Sequence, residues 1–146
     1  MADKQQIDLL RQGKNAWHQW RQAHSDVQPD LTDADLRETF LGGIDLSNAT
    51  LDGADLSGTS LVGMNLSNAS LRKANLSDTD LSDTNLTRSN FSNADLTGAV
   101  LDGAVLTGTI FDGAVLNGSI VDGSDLSELL ANGALQSDTQ GTDSEA

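Results

Sequence analysis

The stretch Ala74–Leu96, ANLSDTDLSDTNLTRSNFSNADL, places an apolar residue at every fifth position: Leu76, Leu81, Leu86, Phe91 and Leu96. Outward in both directions the same slot stays apolar from Leu31 to Leu126, 20 times in succession; 17 are Leu and the others are Phe91, Phe111 and Val121. Two positions before these residues sits a small or modest one, as at Ala34, Ala49, Ala54, Thr59, Ala69, Ala74 and Thr79. Ser, Asp, Asn and Gly fill most of the remainder. A disordered low-complexity chain has no reason to hold Leu in register over such a length.

A period of five fits neither regular element. In a helix, residues five apart point about 140° from one another, so the leucines would spiral around the axis. In a strand, a step of five reverses the face each time. The chain must turn once per unit, and Gly, Asn, Asp and Ser at the end of each unit are turn formers. Short straight segments joined by corners bury every Leu, with the small residue two places earlier also pointing inward and the other three positions pointing outward.

The unit A-[DN]-L-X-X resembles that of the pentapeptide repeat proteins, over about two thirds of the chain. The resemblance implies an all-β solenoid, a right-handed quadrilateral β-helix with four units per coil, hence about five coils. At about 4.8 Å between stacked strands the rod is roughly 24 Å long. Residues 20 apart then stack, which aligns Phe91 with Phe111 in the core and Asp35, Asp55, Asn75 and Asp95 on the outside.

An open coil exposes backbone edges and needs caps. Residues 1–28 read as an N-terminal capping helix and linker, residues 29–128 as the β-helix, 127–135 as a short C-terminal helical cap and 136–146 as a flexible acidic tail. Asp3 with Gln6 has the form of a capping box. Ile7, Leu10, Gly13, Trp17, Trp20 and His24 follow helical spacing along one side, with Gly13 expected to let that side approach the first coil. Leu9, Leu10, Gly13, Trp17, Trp20 and Arg21 resemble a segment that precedes the repeats in cyanobacterial members of the family. The tryptophans could form a ligand-stacking platform; core packing under the cap is the simpler reading. His18 falls on the polar side, and His24 faces an acidic first coil. At the other end Ser127 can cap a short turn carrying Leu129, Leu130 and Leu135, which Gly133 stops.

The net charge is −14, which disfavours direct contact with nucleic-acid phosphate or anionic membrane. The absence of Cys rules out disulfides and thiolate metal sites and leaves the compartment open; with no apolar run long enough for a signal peptide or membrane helix, a cytoplasmic location is expected. Between Asp30 and Glu128 stand 16 acidic and 4 basic residues, a net of −12. Over the expected rod that is about one net charge per 2 Å, against one per ~1.7 Å of duplex DNA. The family resemblance therefore also implies an alternative, a DNA-mimicking regulator of an enzyme such as gyrase.

One stretch departs from the repeat. The residue before the central Leu or Phe is usually polar, yet it is Val100, Val105, Ile110, Val115 and Ile120 near the C-terminal end. This belt, expected on five successive corners that circle the rod once, answers to the strand preference of branched residues, to partial covering by the C-terminal cap, or to a docking surface for a protein partner or a second copy, a homodimer through the C-terminal coil. A Leu-filled rod offers no pocket for catalysis, and its Asp and Ser residues recur as repeat elements. No catalytic, cofactor or metal site is expected; the alternative, a cation between Asp35, Asp55, Asn75 and Asp95, rests only on oxygen ligands. The expected function is a non-enzymatic binding or scaffold protein with an acidic surface.

Overall fold

In the computed structural model residues 2–122, 129, 131, 133, 140 and 141 are described. The chain starts with two short helices, α1 (Lys4–Gln12) and α2 (Lys14–Ala23), and continues as a coil of pentapeptide units. Two-residue strands β1 (Ile120–Val121) and β2 (Gln140–Gly141) pair in parallel, Ile120 opposite Gln140.

The rod is held by parallel single-residue bridges between positions 20 apart: Asp35 with Asp55, Asp55 with Asn75, Asn75 with Asp95, and Asp95 with Val115 along one face. Each coil is therefore four units. The bonding rule repeats along the chain. Leu76 N–H donates to the Asp95 carbonyl (2.7 Å) in the next coil, and Asp95 N–H donates back to the Ala74 carbonyl (2.9 Å). The bridges follow four complete coils and enter a fifth.

Corners arise where the N–H of the inward small residue reaches the carbonyl of the preceding central residue, as Thr79 N–H does to Leu76 (3.2 Å). The residue before it takes positive φ at every corner from Asp33 (60°) to Gly118 (68°), the requirement of a type II turn at its third position. Gly, Asn and Asp tolerate this region best, and 15 of these 18 corners carry one of them; Glu38, Lys73 and Arg88 are the exceptions.

A second device stabilises the corners. The residue before the central Leu points outward, but where it is Asp or Asn it bonds to its own backbone. Asn85 Oδ1 accepts from Thr87 N–H (3.1 Å) and Thr87 Oγ1–H (2.6 Å); Asn75 does the same with Ser77. These Asx turns explain the pairing of Asp or Asn with Ser or Thr two places on. The same slot lies on a flat face at the bridging position, so the apolar belt runs along faces, not corners.

The core is a stack of Leu side chains with the two inner Phe rings 5.4 Å apart and 17° from parallel. Small inward positions that are Thr or Ser satisfy their hydroxyls within the wall: Thr79 Oγ1 donates to the Leu76 carbonyl (2.7 Å) and Ser89 Oγ to Leu86 (2.6 Å).

Two features differ from the expectation. The capping helix is broken at Gly13, whose φ of 108° and ψ of −179° lie outside the helical region; its N–H closes α1 on the Leu10 carbonyl and its carbonyl accepts the Trp17 N–H of α2. A Cβ there would meet nothing within 4 Å, so Gly13 serves backbone geometry and not close packing. At the other end, Gln140 and Gly141, expected in a flexible tail, add a parallel strand at Ile120–Val121, on the side away from the preceding coil, to which Ile120 is bonded through Ala99 and Leu101. Leu129 joins the core; Ser127, Leu130 and Leu135 lie outside the described residues.

Candidate interaction surfaces

The first coil presents a row of backbone N–H and C=O groups with no coil beneath them, and the N-terminal helices reach three of its four faces. On the first, Asp3 N–H donates to the Asp30 carbonyl (3.0 Å) and Gln6 Oε1 accepts the Asp30 N–H (2.6 Å). Asp3 also caps α1, its Oδ1 accepting from Gln5 and Gln6 N–H and its Oδ2 from Gln6 Nε2 (3.4 Å). On the second, Arg11 Nη2 donates to the Asp35 carbonyl (3.3 Å). On the fourth, Trp17 Nε1 (2.8 Å) and Arg21 Nη1 (3.0 Å) both donate to Asp45, whose N–H points at His18 Nε2 (3.2 Å). Leu10 and Trp17 are fully buried beneath this edge, with Ile7, Leu9 and Trp20 partly buried beside them.

Two histidine expectations are corrected by this arrangement. His18 faces the rod because Asp45 N–H needs an acceptor. His24 stacks on Trp20, centroids 5.0 Å apart, with Nδ1 2.9 Å from the Trp20 carbonyl, because it sits one turn after Trp20 at the end of α2. Trp17 is an edge-sealing residue with 0% exposure and offers no platform to a ligand.

The third face, at Phe40, is open. Phe40 is the one position from Asp30 to Val100 that lacks its bridge 20 residues on, here to Ser60, and its ring is 84% exposed, with Val62 nearby at 45%. The departure coincides with Ile44 and Met64, large residues buried in the normally small inward slot of the adjoining face. A groove of about 660 Å³ beside it is lined by Arg11, Asp35, Arg37, Glu38, Thr39 and Phe40. The signal in the sequence was a Phe in a slot that otherwise holds Asp, Asn, Ser or Thr from Asp30 to Asp95.

Along the outer column, Arg37 forks onto Asp35 (Nε–Oδ1 2.9 Å, Nη2–Oδ2 2.8 Å) and reaches Asp55 Oδ2 at 3.6 Å. The Arg37 hydrogen bonds to Asp35 hold that carboxyl down at about 2. Asp55, Asn75 and Asp95 each spend Oδ1 on the N–H two residues on. Among the described residues no group of three or more His, Cys, Asp or Glu is placed to hold a metal ion, and no helix is long and apolar enough to cross a membrane.

The belt is uneven. Val105 (48% exposed) and Ile110 (41%) stand out on adjacent faces, while Val100, Val115 and Ile120 are half-buried. In the coil before, the bridging partners are Asp80, Asn85, Asn90 and Asp95.

Comparison with known proteins matches residues 30–63, 51–88 and 89–127 to a family described as pentapeptide repeats (8 copies). The chain belongs to the pentapeptide repeat family. Its fold is that family's right-handed quadrilateral β-helix. Among solved structures, it is similar to the pentapeptide repeat protein Rfr23 from the cyanobacterium Cyanothece 51142, at 35% identity and a TM-score of 0.54, covering 66% of this chain and 67% of that one. It is also similar in fold to a pentapeptide repeat protein of the Arabidopsis thaliana thylakoid lumen, at 24% identity and a TM-score of 0.64, covering 80% and 82%. QnrB1, a plasmid-mediated fluoroquinolone resistance protein, matches at 23% identity and a TM-score of 0.33, covering 65% and 61%, too remote to bear on function. A search among curated proteins found no match.

Proposed function

We propose that this pentapeptide repeat protein is a non-enzymatic binding or scaffold protein: a rod of about five coils, closed by caps at both ends, that presents acidic faces and docks to a protein through its C-terminal apolar belt. The observation carrying this reading is the exposure of Val105 and Ile110 on adjacent faces, in a slot where the preceding coil holds Asn85 and Asn90. Branched apolar residues gain β-propensity there, but they forgo the Asx turn that Asn85 makes with Thr87. Contiguous exposed apolar side chains on a highly charged protein mark an interaction surface. The acidic faces keep other encounters weak and the rod soluble.

The test is sedimentation of the wild-type protein against Val105→Asn and Ile110→Asp, over a range of concentrations. A second copy is the partner addressed first. The reading expects a concentration-dependent dimer in the wild type that is lost in the variants while the circular dichroism signal is kept. Monomeric wild type at every concentration removes the homodimer. If a partner recovered from lysate is then retained equally by wild type and variants, the belt is not the docking surface. The DNA-mimic alternative draws on charge density and on the family resemblance, and a gyrase supercoiling assay decides it.

A further inference from the structure

Asn117–Gly118 is the one Asn-Gly pair among the described residues. It forms the exposed part of a corner in the last coil, with Gly118 at φ 68°. In the inner coils the corner N–H at this column is tied to the coil above: Gly58 to the Ser77 carbonyl (2.9 Å), Asp78 to Thr97 (2.8 Å) and Gly98 to Asn117 itself (2.8 Å). Gly118 N–H has no hydrogen-bond partner among the described residues, and a Cβ on Gly118 would meet only the Gly98 nitrogen, at 4.0 Å.

From this geometry we infer that Asn117–Gly118 is a self-modification site, at which the last coil converts with time from amide to acid. The Gly118 amide nitrogen attacks Cγ of Asn117, forming a C–N bond. The Cγ–Nδ2 bond breaks, and the amide leaves as ammonia, carrying the proton that Gly118 gives up. Water opens the resulting cyclic imide at one of its two carbonyls. Opening at the main-chain carbonyl leaves isoaspartate; opening at the other leaves aspartate. The sum is amide plus water to acid plus ammonia, and no oxidant or cofactor enters. Gly is the residue that permits the attack, because it has no Cβ to crowd the nucleophile. The Asn117 side chain must swing over the next nitrogen, and a Gly118 amide with no bond among the described residues lets the corner open for it.

The product matters because of where it forms. Either acid adds a negative charge one residue past Leu116 and two past the belt residue Val115. Isoaspartate also lengthens the main chain inside a five-residue unit, upstream of Ile120, whose register with Val100 and Gln140 closes this end of the rod.

The experiment ages the full-length protein at physiological pH and temperature and reads peptide mass together with labelling by an isoaspartyl methyltransferase. The internal control is Ser57→Asn, which makes the same dipeptide in the same column, at a corner whose Gly58 N–H is held by the Ser77 carbonyl (2.9 Å). Asn117 is expected to convert at least about fivefold faster than Asn introduced at position 57, the factor that one backbone hydrogen bond adds to local opening. Asn117→Ser is expected to abolish the label at this peptide. Equal rates at the two positions, or no isoaspartate at 117 in aged wild-type protein, overturn the inference.

Discussion

The indole of Trp17 lies wholly buried under the first coil and donates its N–H to the Asp45 carbonyl at 2.8 Å. One side chain thus fills the mouth of the tube and satisfies a backbone group that has no coil below it. Trp17→Phe keeps most of the apolar contact and leaves Asp45 with Arg21 as its donor; it is expected to cost about 1 kcal/mol. Trp17→Ala removes both and is expected to cost about 3–5 kcal/mol. Urea denaturation of the three proteins measures the difference; a Trp17→Phe protein as stable as wild type would mean that the hydrogen bond is irrelevant, and equal losses in the two variants would mean that the apolar contact is.

The wall depends on Asx turns as well as on bridges. Asn85→Ala loses two hydrogen bonds to Thr87 at 3.1 and 2.6 Å and is expected to destabilise by about 1–2 kcal/mol. The reverse change is available at the belt. Val105→Asn places Asn two residues before Thr107, the arrangement of Asn85 and Thr87, and is expected to leave the thermal midpoint within a few degrees of wild type.

Three corners hold residues poorly suited to positive φ: Glu38 (57°), Lys73 (60°) and Arg88 (57°). Lys73→Asn keeps a polar side chain and tolerates the left-handed region better, so it is expected to stabilise by up to about 1 kcal/mol. At Gly58, where a Cβ would meet nothing within 4 Å, Gly58→Ala is expected to lose about 1–2 kcal/mol from φ alone. At Gly53 the same change also displaces the Asp33 carboxylate, and adding Asp33→Gly, which suits the positive φ of residue 33 (60°), is expected to relieve only that second part. A thermal melt series over these five proteins checks both statements.

The Asp35 carboxyl, held at about 2 by Arg37, titrates below its ordinary value of 3.8 in the folded state. A lowered folded-state value means that its contribution is fully present above pH about 4 and is lost as pH falls toward 2. Arg37→Ala is expected to return the Asp35 titration toward the usual range in a carbon-detected pH series, though Asp35 keeps its bond to the residue-37 N–H.

Much of this architecture is legible in the sequence because each unit repeats one instruction. Leu at every fifth place defines the inward slot, Gly, Asn or Asp two places later supplies positive φ, and Asp or Asn before the Leu closes the corner. The 20-residue coil shows itself in Phe91 and Phe111. What escaped is what happens once. Gly13 breaks a helix whose apolar spacing continues across it. His18 sits at a position that looks polar because its partner is a backbone N–H, which leaves no mark in side-chain pattern. The open face at Phe40 depends on how Ile44 and Met64 fill the next wall, a volume effect that periodicity does not carry. Strand β2 depends on an unpaired edge far back in the chain.

Residues 20 apart lie in one column, and the aromatic content makes this directly measurable. The chain has three Phe and no Tyr, so the aromatic proton spectrum is sparse. With rings 5.4 Å apart, Phe91 and Phe111 should give strong ring-to-ring nuclear Overhauser cross-peaks that vanish in Phe91→Leu, while Phe40 gives none to either. A folded protein whose Phe91 and Phe111 rings show no contact would contradict the four-unit coil and everything derived from it.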